Sequence, residues 1–170
     1  MFILYILMSY HKDDTAQHLT LTLPLPQAHF IWYCAWLSLP SAVYAYAAAA
    51  AATTTRHLAI IPTAVWLTSL FYWRHPVRKS WRRTLDIAVV FTGVTYQTYY
   101  AYRYTSPTQF ATYTTLIAAS ASCYITSNVL MKRGRLWPAT YAHASIHFIA
   151  NVANVVLYSG VGYDDYTITN

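Results

Sequence analysis

The sequence has very few charged residues, and it has no glutamate at all. Only 9% of its 170 residues are charged, whereas a soluble domain usually carries about 25%. Hydrophobic residues make up 56% of the chain. A water-soluble chain of this size could hardly cover its surface with so few charges. The composition therefore predicts an integral membrane protein.

Cysteine is also scarce, since Cys34 and Cys123 are the two present. Both fall inside apolar runs and lack the spacing of a disulfide framework or a CxxC site, so they are expected to pack as small apolar residues. The N-terminal run MFILYILM is too short to span a bilayer and lacks the flanks of a secretory signal. It predicts an interfacial or protein-docked segment over residues 1–27.

Five long apolar runs predict the architecture. They indicate an all-α fold: one transmembrane domain over residues 1–170, a polytopic membrane helix bundle of about five helices with short loops. The predicted spans are 28–52, 57–73, 84–102, 108–131 and 138–158. Each is close to the roughly 17–25 residues that a spanning helix needs. Pro40 is expected to kink the first span.

The basic residues support the same topology. With five spans, nine of the eleven fall on one face, and Arg56 and Arg103 fall on the other. The nine are Lys12, Arg74, Arg78, Lys79, Arg82, Arg83, Lys132, Arg133 and Arg135. The positive-inside rule then predicts a cytosolic N-terminus and a C-terminus on the opposite side, of a membrane that the sequence does not name.

The net charge of +6 does not predict a nucleic-acid partner, because the positive charges gather in two short loops between apolar runs. The first loop carries Arg74, Arg78, Lys79, Arg82 and Arg83. These residues either set orientation alone or also bind anionic lipid headgroups, so membrane lipids are the expected partners.

Polar residues form stripes on three of the predicted helices. On the last helix, His143, His147, Asn151, Asn154 and Tyr158 fall within a sector of about 80°. Such a stripe is expected to face the bundle interior or a wet cavity. Its plain interpretation is hydrogen bonding between helices. The stripe on the third helix consists of Asp86, Gly93, Gln97 and Tyr104, and the stripe on the second consists of Thr68, Tyr72 and His75.

A metal site is the sharper hypothesis. His143 and His147 are four residues apart on one helical face, a spacing that suits one metal ion. His75 could supply the third ligand of a zinc ion whose fourth position holds water. Asp86 could then act as general base on that water. All four residues are predicted to lie in the same leaflet.

The pattern H-x10-D from His75 to Asp86, with H-x3-H on the last helix, resembles the CREST membrane hydrolases, which include alkaline ceramidases and adiponectin-receptor-like proteins. The resemblance implies zinc bound by His75, His143 and His147, with Asp86 as the catalytic acid in hydrolysis of a lipid amide. The chain departs from the family in having five rather than seven predicted helices. The family serine falls one turn before the first histidine, where this chain has Phe71, and Ser69 is predicted to lie on another face.

Three functions follow as expectations. The first is a zinc-dependent hydrolase of a membrane lipid amide or ester. The second is a non-catalytic accessory or structural subunit of a larger membrane complex, with other membrane subunits as partners. The third is a conductor of protons or small solutes, in which the histidines and Asp86 relay charge.

Overall fold

The computed structural model describes residues 21–51 and 57–160, and almost all of them are helical. The prediction of an all-α helix bundle is confirmed. The helices are α1 (Leu25–Ala35), α2 (Ser38–Ala51), α3 (Ile60–Trp73), α4 (Trp81–Tyr104), α5 (Pro107–Lys132) and α6 (Leu136–Gly160). In this part of the chain, no helix combines the length and the apolar character needed to cross a membrane. Most of the predicted N-terminal segment, with Lys12, lies outside the described residues, as does Arg56.

The first predicted span is two helices rather than one kinked helix. The break falls at Trp36 and Leu37, and Pro40 lies in the first turn of α2. Proline lacks an N–H group, and its ring clashes with the carbonyl four residues earlier, here that of Trp36. The backbone therefore tightens before Pro40, where the Leu37 amide bonds to the Cys34 carbonyl.

The connections between the later helices follow ordinary capping rules. Ser80 caps α4 by accepting a hydrogen bond from the Arg83 amide, and Ser106 caps α5 in the same way. Between α5 and α6, Gly134 has a φ of 72°, which a residue with a side chain rarely adopts. The next amide, that of Arg135, bonds back to the Leu130 carbonyl and closes a Schellman turn.

Helix α6 lies at the centre of the packing, against α1, α2 and α5, and α3 packs against α1, α2 and α4. Two buried clusters mark the two ends of the bundle. The basic-end cluster is Leu23, Ala28, Ile31, Tyr72 and Trp73, with Met131 and Leu136 packed against it. The far-end cluster is Ala45, Leu58, Ala59, Tyr100, Ala101, Tyr113, Ala153, Leu157 and Tyr158.

These clusters place both basic loops at the same end of the molecule. The end of α3 and the start of α6 meet in the basic-end cluster. Of the nine lysines and arginines in the described ranges, eight belong to these loops or the helix ends beside them, and Arg103 lies at the far end. With α1 and α2 running in the same direction as one pass, successive passes through the bundle therefore alternate in direction as the charge pattern predicts.

Candidate functional site

Asp86 is the one acidic residue in the described part of the chain, and it ties α4 to α3. Its Oδ1 atom accepts a hydrogen bond of 2.8 Å from the Ser69 hydroxyl and one of 3.0 Å from the Thr68 hydroxyl. Thr68 also lies 3.2 Å from the Val65 carbonyl of its own helix, so its hydroxyl has a second acceptor. The carboxylate is thus held in place by two hydroxyls from one neighbouring helix.

Ser69, which the sequence predicts on a different face from His75, lies on the buried face of α3. Ser69 is 2% exposed, and Tyr72 and Trp73, one turn further along α3, are equally buried. The face of α3 that points inward therefore contains Ser69 and Trp73. The predicted metal site requires the His75 side of this helix to face the interior, but His75 follows the end of α3 and is exposed.

The two histidines of α6 lie inside the bundle beside Trp73. Their ring centres are 5.9 Å apart, and the His143 ring is 4.7 Å from the Trp73 ring. His147 is 8% exposed, and its Nε2 atom is buried without a hydrogen-bond partner within the described structure. A buried imidazole nitrogen without a partner is costly, so this atom is a candidate for binding a ligand.

The contact between Trp73 and His143 sets the relative depth of these groups. Helix α3 runs toward the basic end and α6 runs away from it. Ser69 lies one turn before Trp73, and His147 lies one turn after His143, so both are about 6 Å deeper. The Ser69–Asp86 pair and the free His147 nitrogen are therefore at the same level of the bundle.

A zinc ion, as the resemblance implies, needs a third histidine near this pair. The structure does not bring His75 to them, and Trp73 takes the place beside His143 instead. Within residues 21–51 and 57–160, no three His, Cys, Asp or Glu side chains are arranged to hold a metal. The residues present therefore do not fit a zinc site formed by His75, His143 and His147.

Two further residues of the α6 stripe bond to other helices. The Asn151 side chain bonds to Ser41 and Ser38 of α2, and the Tyr158 hydroxyl accepts from the Gln97 amide of α4. Asn154 is half-buried.

Helix α5 adds two bonds to α6 backbone carbonyls. The Ser127 hydroxyl donates to the Ala139 carbonyl at 2.9 Å, and the Gln109 amide donates to the Val156 carbonyl at 3.3 Å. Helix α6 is therefore tied to three neighbours by polar contacts.

The predicted headgroup residues lie around the basic end. Arg74, Arg78 and Lys79 are exposed, and Arg82 and Arg83 are half-buried. The Arg82 guanidinium lies 4.6 Å from the centre of the Phe71 ring. This cation–π contact positions one positive charge beside an apolar surface.

Comparison of the chain with models of known protein families, with curated proteins and with solved structures finds no match.

Proposed function

We propose that this chain is a multi-pass membrane protein that serves as a non-catalytic structural subunit of a membrane assembly. The observation that carries the proposal is the use of the polar residues of α6. Asn151 and Tyr158 form side-chain hydrogen bonds to α2 and α4. Polar groups used in this way hold helices together in lipid, where packing and interhelical hydrogen bonds replace the hydrophobic effect.

The hydroxyls on the outer surface support a lipid environment. Exposed hydroxyls of α4, α5 and α6 donate to the carbonyl four residues earlier in their own helix. Examples are Thr95 to Phe91, Thr112 to Thr108, Ser122 to Ala118 and Ser145 to Tyr141. In hydrocarbon no water is present to satisfy a polar group, so a hydroxyl must find its partner within the protein.

Exposed aromatic side chains at the two ends agree with this environment. Trp81 and Trp137 are exposed at the basic end, and Tyr99, Tyr102 and Tyr104 are exposed toward the far end. Tryptophan and tyrosine are enriched where a bilayer meets water, because each has an apolar ring and a polar atom. We propose that the two groups lie at the two surfaces of the membrane, with the basic end cytosolic.

Cysteine labelling tests the membrane topology. Starting from a variant with Cys34 and Cys123 replaced by alanine, we would introduce Lys79→Cys at the basic end and Thr108→Cys at the far end. In intact cells, a membrane-impermeant maleimide is expected to label position 108 and to leave position 79 unlabelled until the cells are permeabilised. Labelling of position 79 in intact cells, or release of the protein by alkaline carbonate, would overturn the proposed topology.

Hydrolysis of a lipid amide or ester is a second candidate, favoured by the Ser69–Asp86 pair. A serine hydroxyl that donates to a carboxylate resembles a nucleophile and its base. The free His147 nitrogen lies at the same depth, where it could contact the substrate carbonyl or leaving group.

An activity assay separates the two candidates. Purified protein would be incubated with a fluorescent ceramide and with a fluorescent phospholipid ester. The structural proposal expects the same background release for wild type, Ser69→Ala and Asp86→Asn. Turnover that both substitutions abolish, in variants that still melt cooperatively, would establish the hydrolase and overturn the non-catalytic proposal.

A wild-type protein that is monomeric in native gels after gentle extraction from its own membrane would contradict the assembly.

A further inference from the structure

The His143–His147 pair lies close to the geometry of two ligands of one metal ion. The residues occupy successive turns of α6, and their ring centres are 5.9 Å apart. Two imidazoles bound to one tetrahedral zinc ion lie about 5 Å apart, centre to centre, at the usual zinc–nitrogen distance. His147 also has a buried Nε2 atom that has no partner in the described structure. A small rotation of the two rings would let them share an ion.

Trp73 is the α3 side chain that packs against the His143 ring of this pair. Its ring lies 4.7 Å from that of His143, and the residue is 3% exposed. The indole nitrogen is a donor only and offers no lone pair to a cation. A histidine ring is about the size of the five-membered ring of indole, so it could occupy part of the same space. Trp73 lies on the inward face of α3, one turn beyond Ser69.

We propose that Trp73 occupies the place of a third ligand beside the His143–His147 pair, so that this pair is held without zinc, and that a histidine at position 73 would complete a zinc site. The site would take a divalent ion that prefers imidazole and tetrahedral geometry, which zinc does. The inference concerns the donors of this pair and does not depend on the proposed structural role. Zinc content tests the blocked metal site, and lipid turnover tests the proposed structural role. The two proposals can therefore fail separately.

The test compares metal binding by three proteins carrying an affinity tag without histidine. Wild type, Trp73→His and Trp73→Phe would be stripped with a chelator in detergent, reloaded with zinc and desalted. Trp73→His is expected to retain about one zinc ion per chain, and wild type and Trp73→Phe are expected to retain none in stoichiometric amount. Phenylalanine keeps an aromatic ring but supplies no ligand, so it is the matched control.

Cobalt gives a readout that also reports geometry. Trp73→His loaded with Co²⁺ is expected to show the intense visible bands of a tetrahedral site, and the double variant Trp73→His with His147→Ala is expected to lose them. A folded Trp73→His protein that binds neither ion would overturn the proposal. Binding that persists without His147 would overturn it as well.

Two further measurements keep the proposal testable if Trp73→His fails to fold. Trp73→Cys is smaller and supplies a thiolate, which also binds zinc, so it should retain the ion through the same histidines. The wild-type measurement does not depend on whether a variant at position 73 folds. Stoichiometric zinc in wild type that His147→Ala removes would show that Trp73 does not block the pair, and the proposal would then be wrong.

Discussion

Replacing Gly93 with leucine is expected to destabilise the bundle by about 3 kcal/mol or more. Gly93 is buried on α4 at a position where that helix lies close to Ile61 of α3. A Cβ atom at this position would lie 2.7 Å from the Cγ2 atom of Ile61. Isoleucine is branched at Cβ and has little freedom to rotate away. Leucine would therefore force the two helices apart.

Thermal unfolding in mild detergent measures this effect. Gly93→Leu should melt far below wild type, and Gly93→Ala should fall between the two. Thr92→Leu, on the exposed side of the same turn, is the matched control and should melt like wild type. Ile61→Ala removes the clashing methyl group. The loss of stability in the double variant Gly93→Ala with Ile61→Ala should therefore be smaller than the sum of the losses in the two single variants. A Gly93→Leu protein that melts with wild type would show that α3 and α4 are not in close contact.

Replacing Asp86 with alanine is expected to cost about 2–3 kcal/mol, because it removes the acceptor of two hydrogen bonds between helices. The hydroxyl of Thr68 can turn to the Val65 carbonyl. The Ser69 hydroxyl would lose its acceptor while buried, since Ser69 is 2% exposed and bonds to the carboxylate. Asp86→Asn keeps an oxygen in the same position and should cost less than Asp86→Ala.

A double-mutant cycle isolates the Ser69 contribution. Ser69→Ala removes the hydroxyl that would be left without an acceptor. The loss of unfolding free energy in the double variant Asp86→Ala with Ser69→Ala should therefore be smaller than the sum of the losses in the two single variants. Thr68→Ala, combined with Asp86→Ala in the same way, should show a smaller coupling. Strict additivity for the Asp86 and Ser69 pair would mean that the hydrogen bond contributes nothing to stability. The free energies of unfolding would be measured by titration of mixed micelles with a denaturing detergent.

Much of the helical arrangement could be predicted from the sequence, because apolar runs, capping residues and charge pattern are local signals. Ser80, Ser106 and Gly134 end or begin helices through contacts within a few residues. The α6 stripe points inward because helical spacing alone puts its residues on one side.

The composition of the candidate site could not be predicted in the same way. Sequence spacing selects His75 as the partner of Asp86, and it places neither Ser69 nor Trp73 in the site. The direction of a side chain near a helix end depends on where the helix stops and on what packs against it. Trp73 is buried in the basic-end cluster, whereas His75, two residues later, lies beyond the end of α3 and is exposed.

The sequence by itself therefore determined the all-α character of the described residues, the alternation of helix directions and the gathering of basic residues at one end. These depend on composition and on the periodicity of a single helix. Only the tertiary structure decided that Ser69 and Thr68 hold Asp86, that α6 bonds to three neighbours, and that Trp73 stands beside His143. Each of these is a contact between helices, and it depends on their relative rotation and depth, which no local pattern specifies.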